Sequence, residues 1–366
     1  MQQILVKALF MQMPKFSNSP HTFHADLKKR INSYFDQTGK SMTGNFALYL
    51  KAAVLGISFL GLYVHLVFFT PPVLFAIVEC ILFGCVISAI GFNVMHDGGH
   101  GSFSKSKLIN QMAALSLSVL GGNSFIWHNK HNIIHHSYTN VDGVDDDINI
   151  QPFMRMSSNQ KRLKLHKYQH VYFWGLYAML YILWIFILDY NKYFRKRVGD
   201  VPLKKMGFMD HFNFWVFKVV HAFIFIVLPV YIVGFGTWVI GFLITTVVTG
   251  LLISIVFQLA HTVEHVSFPV ANIETNKIEN EWAIHQVNTT ANFATHNRLV
   301  SWLVGGLNFQ IEHHLFPKIS HIHYPAVSKI VRQTCADHGI QYIEFARVHN
   351  AIASHVTYLK HLGQAS

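Results

Sequence analysis

The amino-acid sequence predicts an all-α, multi-pass membrane protein, and its composition and long uncharged stretches support that prediction. Of the 366 residues, 51% are hydrophobic and only 13% are charged, whereas a typical soluble domain has about 25% charged residues. This balance argues against a soluble globular enzyme and against extensive disorder. The three cysteines are too few for a disulfide framework. Histidine is the unusual residue, with 25 against 18 Asp plus Glu, and this excess points to metal binding.

Four apolar stretches are long enough to cross a bilayer, which takes about 20 residues of helix. They lie near residues 46–69, 73–95, 214–233 and 238–260. A Thr-Pro-Pro turn at 70–72 separates the first two, and a Gly-Phe-Gly turn at 234–236 separates the last two. Each pair is therefore expected to form a tight hairpin, which gives four transmembrane helices in two hairpins.

Lysine and arginine are absent from both hairpin turns but frequent in the loops at 96–170 and 191–213 and in both terminal segments. By the positive-inside rule these basic segments are cytoplasmic. A fifth apolar stretch at 171–190 has basic loops on both sides, so we interpret it as an interfacial helix and not as a span. The net charge of +11 suits anionic lipid head groups, and no motif for nucleic-acid recognition accompanies it.

The predicted organisation is a cytoplasmic N-terminal segment (1–45), a membrane domain (46–317) and a cytoplasmic C-terminal cap (318–366). Within the cap, Pro325 to His338 is typical of a helix with proline in its first turn and Gly339 at its end.

Histidines concentrate at the cytoplasmic ends of the predicted spans. His96 and His100 are four residues apart, as are His131 and His135, so the two members of each pair share a helix face. The adjacent histidines at 135–136 and 313–314 can lean toward two neighbouring metal ions. The candidate metal ligands are His96, His100, His131, His135, His136, His313 and His314, and a fourth group is formed by His261 and His265. His166 and His170 have the same spacing but lie among lysines and arginines, so a solvated or lipid-facing basic helix is expected there.

The number and type of these candidate ligands favour two metal ions. Imidazole suits zinc, copper, iron and nickel alike. A structural zinc site takes four ligands, often including cysteine, whereas at least seven histidines are available here and no cysteine is near. The glutamate ligands of soluble di-iron bundles are missing from the pattern. A histidine-rich di-iron centre at a membrane face, held by a helical cap, is the most economical interpretation.

These clusters resemble the three histidine boxes of the membrane-bound fatty acid desaturases, with the first box at 96–100, the second at 131–136 and the third at 310–314. Gln310, in place of a histidine, resembles the front-end subfamily, which inserts a double bond between an existing one and the carboxyl end. The resemblance implies a cis-desaturating oxidoreductase that uses O2 and two iron ions. It implies eight histidine ligands, which are His96, His100, His131, His135, His136, His261, His313 and His314. Gln310 is then a weak ligand or a hydrogen-bond donor to one, whereas His128 and His265 are not expected to bind metal.

The resemblance also implies partners. The substrate is an acyl lipid or acyl-CoA in a membrane, which is the cell inner membrane if the source is bacterial. Many eukaryotic front-end enzymes carry a fused b5-type haem domain with a His-Pro-Gly-Gly motif, and this motif does not occur here. Electrons are therefore expected from a separate ferredoxin or b5-type cytochrome.

Carboxylates near the boxes are candidates for orienting the ligands, because a metal-bound histidine passes its other ring N–H to a carboxylate or carbonyl. Asp97 lies inside the first box, and Asp145 and Asp147 follow the second. The alternative for the acidic run 142–147 is a solvated turn or a loose calcium loop. Aromatic residues that could line an acyl tunnel are Phe92, Trp127 and Trp302.

Three other functions are compatible with parts of the pattern. Residues 261–265 match the His-x-x-Glu-His motif of inverted zinc peptidases, with Glu264 as general base, but this leaves the other clusters unexplained. A lipid hydroxylase or a sphingolipid desaturase would share the same histidines. A metal transporter would need a path of ionisable groups through the spans, and the sequence offers no continuous one.

Overall fold

The computed structural model describes residues 13–17 and 23–365 of the chain, so the predicted N-terminal segment is only partly covered. Helices dominate the described residues. In chain order they are α1 (Phe23–Thr38), α2 (Phe46–Phe69), α3 (Val73–His100), α4 (Lys107–Val119), α5 (124–138), α6 (Lys164–Arg195), α7 (Phe208–Val233), α8 (Phe235–His261), α9 (Trp282–Asn288), α10 (Arg298–Leu303), α11 (Gln310–Leu315), α12 (Tyr324–Asp337) and α13 (Val348–Gln364). Short 3-10 turns lie at Asp146–Ile148 and His321–His323.

The described strands are two residues long and form three separate pairs. β1 (Lys15–Phe16) pairs in parallel with β4 (Lys277–Ile278). β2 (Arg197–Val198) and β3 (Val201–Pro202) form an antiparallel turn. β5 (Asn292–Phe293) pairs in parallel with β6 (Glu344–Phe345), which ties the segment before the third box to the C-terminal tail.

The two predicted hairpins are present. Helices α2 and α3 are joined by the Pro-containing turn, and α7 and α8 meet at Gly234, whose φ of 82° a residue with a side chain adopts only at a cost. Helix α6 is 32 residues long and has a mean hydropathy of 2.0, against 2.1 to 2.7 for these four helices, so it is also apolar enough to cross a membrane. By length and composition the described residues therefore contain five candidate spans, one more than the sequence analysis predicted.

Helix α6 contacts the polar end of the bundle at three points along its length. The ring of Phe173, early in the helix, packs on His355 of the C-terminal helix. Trp184 packs against the cluster that contains Trp127 of α5, and the Lys192 ammonium lies 3.1 Å from the Asp146 carboxylate just after α5.

Close backbone approach sets α8 between α3 and α6. A Cβ atom at Gly84 of α3 would lie 2.8 Å from the carbonyl oxygen of Thr245, and one at Gly250 would lie 2.6 Å from that of Ala178. Small residues at such crossings let helices pack through direct backbone contact. This packing brings the histidine-bearing ends of α3 and α8 to the same end of the bundle.

The polar end is covered by a helical layer with its own apolar core. Helix α1 contributes Phe23, Leu27 and Ile31, which pack with residues of α9, α11 and α12. Helix α12 spans Tyr324–Asp337, within one residue of the predicted bounds, and Gly339 follows it with a positive φ of 67°. The third box lies on α11, whose six residues are all buried beneath this layer.

Candidate metal centre

All eight candidate histidines converge in one buried cluster, which we call the histidine cluster. Four helices supply it. The last turn of α3 carries His96 and His100, and α8 ends at His261. The second box lies on α5, which follows a π-helical path over His128–His135, and the third lies on α11. Each of the eight side chains is at most 9% exposed, so the cluster is shielded from water.

The ligand atoms fall into overlapping groups in which all atoms lie within 4.8 Å of one another. One group comprises His96, His100, His131 and His313, a second comprises His135, His261 and His314, and a third comprises His136, His313 and His314. His136 therefore lies close to members of the first and second groups. Two neighbouring sets of imidazoles are the arrangement expected for two metal ions.

Nitrogens of the histidine cluster face one another without ordinary hydrogen-bond partners. The Nε2 atoms of His96 and His136 each lie 3.2 Å from Nε2 of His131. Among the described residues, a buried ring nitrogen without any partner occurs on six members, which are His100, His135, His136, His261, His313 and His314. Buried polar atoms are normally satisfied, so this concentration of free nitrogens fits bound metal.

Burial also keeps the rings in the protonation state that metal requires. It lowers the pKa of His131, His136, His313 and His314 well below the usual value for histidine, and the neighbouring imidazoles lower it further. Neutral imidazole is the ligand form. The donor set therefore fits metals that accept nitrogen ligands, iron among them.

In four histidines of the cluster, Nδ1, the ring nitrogen that faces away from the cluster, bonds another protein group. His135 donates from Nδ1 to the Asp145 carboxylate at 3.0 Å, and His314 donates to the Gln286 amide oxygen at 2.9 Å. Nδ1 of His313 lies 3.1 Å from the Tyr324 hydroxyl, and Nδ1 of His261 lies 3.3 Å from the Thr289 carbonyl oxygen. Such partners fix the tautomer, so that Nε2 points into the cluster.

The aspartates at 142–147, after the second box, bond different partners. Asp145 is 2% exposed and bonds His135, as described. Asp147 lies 3.3 Å from the same ring nitrogen and 2.5 Å from the Lys130 ammonium. Burial opposes the charge of Asp147, but Lys130 and His135 together outweigh it and lower the pKa of this carboxyl. Asp142 bonds Gln160 instead, so the run is not a uniformly solvated turn.

Asp97 and Gln310 lie beside the histidine cluster, but among the described residues neither bonds a box histidine as expected. The Asp97 carboxylate accepts hydrogen bonds from Ser320 at 2.7 Å and from Nδ1 of His321 at 3.0 Å, not from a box histidine. Gln310 lies one turn before His313 on α11, is 1% exposed, and has no partner for either amide atom among the described residues. Either role proposed for it, ligand or donor, would satisfy that amide.

Sequence reasoning missed several groups that hold the cluster in place. Gln286 and Tyr324 lie outside the boxes, and no local pattern distinguishes them. Glu312 is visible inside the third box, where burial raises its pKa to about 7 against the hydrogen bonds that lower it. Asn292 and Tyr342 each donate to it at 2.8 Å. These bonds lock α11 to β5 and to the C-terminal tail.

One histidine expectation is wrong. His166 is fully buried rather than solvated. Its Nε2 donates to the Pro152 carbonyl oxygen at 2.8 Å and its Nδ1 accepts from the Leu163 N–H at 3.1 Å. It is absent from the candidate metal groups of the described residues. Both of its ring nitrogens already bond backbone groups of the preceding loop.

His265 and His128 are exposed and belong to none of the ligand groups found in the described part of the chain. Helix α8 ends at His261, so the His-x-x-Glu-His motif does not continue on a helix. His265 itself adopts a positive φ of 75°. The geometry therefore does not support the zinc peptidase.

The three aromatic residues proposed for an acyl tunnel occupy different places. Trp127 stacks on His131 with ring centres 4.6 Å apart and forms part of the wall of the cluster. Phe92 packs with Val256 and Leu307 inside the bundle. Trp302 is 42% exposed at the surface.

Comparison with known proteins agrees with this geometry. Residues 69–346 match the fatty acid desaturase family. The sn-1 linoleoyl-lipid 6-desaturase of Arthrospira platensis is 33% identical over 340 residues, which is 92% of each chain. The same-named enzyme of Synechocystis sp. is 32% identical over 354 residues, covering 94% of this chain and 96% of the relative. The acyl-lipid (8-3)-desaturase of Physcomitrium patens is 34% identical over 345 residues, covering 93% and 72%. This chain belongs to the fatty acid desaturase family.

Proposed function

We propose that this protein is an O2-dependent, front-end acyl-lipid desaturase that inserts a cis double bond on the carboxyl side of an existing one. The observation that carries the proposal is the buried histidine cluster, whose unpartnered nitrogens occur at the positions of the three boxes. The similarity to lipid 6-desaturases and (8-3)-desaturases over most of the chain favours the front-end reaction. A membrane-embedded acyl lipid is the substrate class.

Two iron ions are the proposed cofactor. We assign His135, His261 and His314 to one iron and His96, His100, His131 and His313 to the other, with His136 close to both sets. The chemistry supplied by bound iron is activation of O2, through which two hydrogens leave adjacent methylene carbons and O2 becomes water with two electrons and two protons from outside. An unactivated methylene offers no acidic proton or leaving group, so side-chain acid–base chemistry would not suffice.

The protein's own residues position the ligands and exclude water. Asp145 and Gln286 hold the Nδ1–H groups of His135 and His314, so that each ring keeps one orientation. Burial disfavours the charged ring of His135, but Asp145 and Asp147 together outweigh it and raise the pKa, which makes the ring a stronger electron-pair donor to a metal. The helical layer of α1, α9 and α12 covers the cluster. A dry, fixed site of this kind limits side reactions of the activated oxygen.

We propose that four helices cross the membrane and that α6 lies along its cytoplasmic surface. Helices α3 and α8 both end in the histidine cluster, so the chain between them crosses the membrane an even number of times. The hairpin of α7 and α8 supplies two crossings. The contacts of α6 with His355, Trp127 and Asp146 support the same placement.

This arrangement places the N-terminal segment, the boxes and the C-terminal cap on the cytoplasmic side, as the basic loops predict. If the source is bacterial, the membrane is the inner membrane. A separate ferredoxin or b5-type cytochrome is the proposed electron donor.

The lipid products test the proposed reaction. The chain is expressed in a host without polyunsaturated lipids, oleate and linoleate are supplied, and double bonds are located by mass spectrometry of fatty acid methyl esters. We expect a new bond on the carboxyl side of an existing one that is absent in His313→Ala. A hydroxylated product, or a bond on the methyl side, would contradict the proposal.

A further inference from the structure

A cavity of about 970 Å³ lies beside the histidine cluster, between the start of α2, helix α10 and helix α12. We call it the cationic cavity. Its described lining includes Lys51, Arg298, Lys329 and Arg332, and no Asp or Glu. Such an excess of positive charge around a concave surface favours an anionic ligand.

Three of the four cations lack a carboxylate partner. Arg332 pairs with Glu344 and lies over the Tyr342 ring. Within the described residues, Lys51, Arg298 and Lys329 form no ion pair closer than 4.0 Å. The cavity therefore keeps positive charge that its own walls do not neutralise.

The buried Lys51 is stronger evidence for a binding site than the exposed cations are. It is only 7% exposed, and its ammonium lies 3.4 Å from Nε2 of His321 and 5.0 Å from the centre of the Trp302 ring. Asp97, which bonds the other ring nitrogen of His321, offsets part of this charge, but a buried ammonium without an anionic partner in direct contact is still costly. An anion in the cavity would supply that partner.

The rim of the cavity combines charge with exposed apolar side chains. Helix α10 exposes 67% of Leu299 and 45% of Leu303, and the start of α2 exposes 78% of Phe46. Because α2 is a candidate span, this rim lies where head groups meet the hydrocarbon. Lipid is therefore a better match for the cavity than a wholly water-soluble anion.

Two residues of the cavity floor adjoin residues of the third and first boxes. Phe309 lines it and directly precedes Gln310 of the third box. His321 lines it as well and bonds Asp97, the neighbour of His96. Gly306 has a positive φ of 67°, and a Cβ there would lie 2.8 Å from Cβ of His321, so the floor is closely packed.

We propose that the cationic cavity binds the anionic, phosphate-bearing head group of the substrate lipid, with Lys51, Arg298 and Lys329 as its cationic contacts. The proposal rests on the desaturase function proposed above and names the carrier of its acyl chain. A head group held here would fix the distance along the acyl chain to the histidine cluster. That distance decides which carbons react.

Direct binding tests this proposal without turnover or a reductant. Fluorescent phosphatidylglycerol and a fluorescent neutral galactolipid with the same acyl chains are titrated into the purified full chain in detergent, and anisotropy is recorded. The test variant is Arg298→Gln/Lys329→Gln. The matched control is Arg347→Gln/Lys360→Gln, which removes the same charges from exposed positions on or beside α13.

We expect the wild type to bind phosphatidylglycerol more tightly than the galactolipid, and the test variant to lose about tenfold in affinity for phosphatidylglycerol alone, or about 1.4 kcal/mol. The control pair should retain the wild-type preference. Equal binding of both lipids by the wild type, or an unchanged preference in the test variant, would overturn the proposal.

Oleoyl-CoA, added as a competitor, separates a lipid head group from a soluble phosphate carrier. Displacement of phosphatidylglycerol by oleoyl-CoA at lower concentration would overturn the assignment to lipid. A protein that shows the binding preference but forms no double bond in the methyl ester assay would instead contradict the desaturase function, so the two failures are distinguishable.

Discussion

The membrane bundle and the histidine cluster differ in what fixes their helices in place. Most side chains of α2 face outward, and α8 meets its neighbours by close backbone approach at Gly84 and Gly250, where the hydroxyls of Thr249 and Ser254 bond backbone carbonyls. In α11 every residue is buried, and directional bonds through Gln286, Tyr324 and Asn292 fix its position. The bundle should therefore tolerate changes that preserve shape, whereas the cluster should not tolerate the loss of single polar groups.

The largest expected effect is the loss of a ligand. His313→Ala and His135→Ala should each abolish product and reduce bound iron, with activity falling more than about 100-fold, since even partners of ligands are worth about 10–100-fold. Product is measured as methyl esters, and iron by elemental mass spectrometry of purified protein.

His166→Ala is the matched control for these variants, because His166 is equally buried but bonds only backbone groups. It should lower stability by roughly 1–3 kcal/mol while iron per folded chain stays at the wild-type value. Retained activity in either ligand variant, or iron loss in His166→Ala, would contradict the assignment.

The next largest effect concerns a group that orients a ligand. Asp145→Asn should lower activity and iron affinity about 10–100-fold, because Asp145 fixes the Nδ1–H of His135. Asp142→Asn provides the comparison, since Asp142 bonds Gln160 and no box histidine. Titrating iron into both purified apo-proteins measures the difference, and equal affinities would show that Asp145 does not orient its histidine.

These variants also show where the sequence sufficed. The uncharged stretches predicted the two hairpins, and the spacing of the boxes predicted that the histidines lie together. Both signals could be found because each is local in the sequence. Asp145 was found because it lies close to the second box in the chain. Gln286 and Tyr324 contact the cluster only through the tertiary fold, so no spacing could identify them. Hydropathy cannot decide whether α6 crosses the membrane, because an apolar helix of 32 residues is long enough for either placement.

A steric change in the bundle should reduce stability without changing the chemistry. Gly250→Ala forces a Cβ within 2.6 Å of the Ala178 carbonyl oxygen, which should cost about 1–3 kcal/mol. Gly175→Ala, in open space on α6, should be neutral or stabilising by up to about 1 kcal/mol. Thermal unfolding in detergent measures both, with activity per folded molecule expected to be unchanged; equal melting temperatures would contradict the packing argument.

The smallest effect is a pH dependence at the border between the two regions. Burial lowers the pKa of His355 to about 4, although its bond to the Thr262 carbonyl opposes this. Because the folded pKa lies below the unfolded value of about 6.5, the neutral ring is favoured at high pH and stability is lost as pH falls through this window.

The expected loss from His355 is about 1 kcal/mol at pH 5.5 relative to pH 8. His355→Gln should remove this part of the pH dependence, which is measured by comparing unfolding of both proteins across the range. An identical slope in both would show that His355 is not the titrating group.

We propose that the eight converging histidines form a single di-iron centre. The most direct test is the metal content of the purified full chain, expressed with iron and zinc both available and measured by elemental mass spectrometry against protein concentration. We expect two iron ions per chain and no stoichiometric zinc. One zinc ion per chain, or a single iron ion in fully active protein, would contradict it.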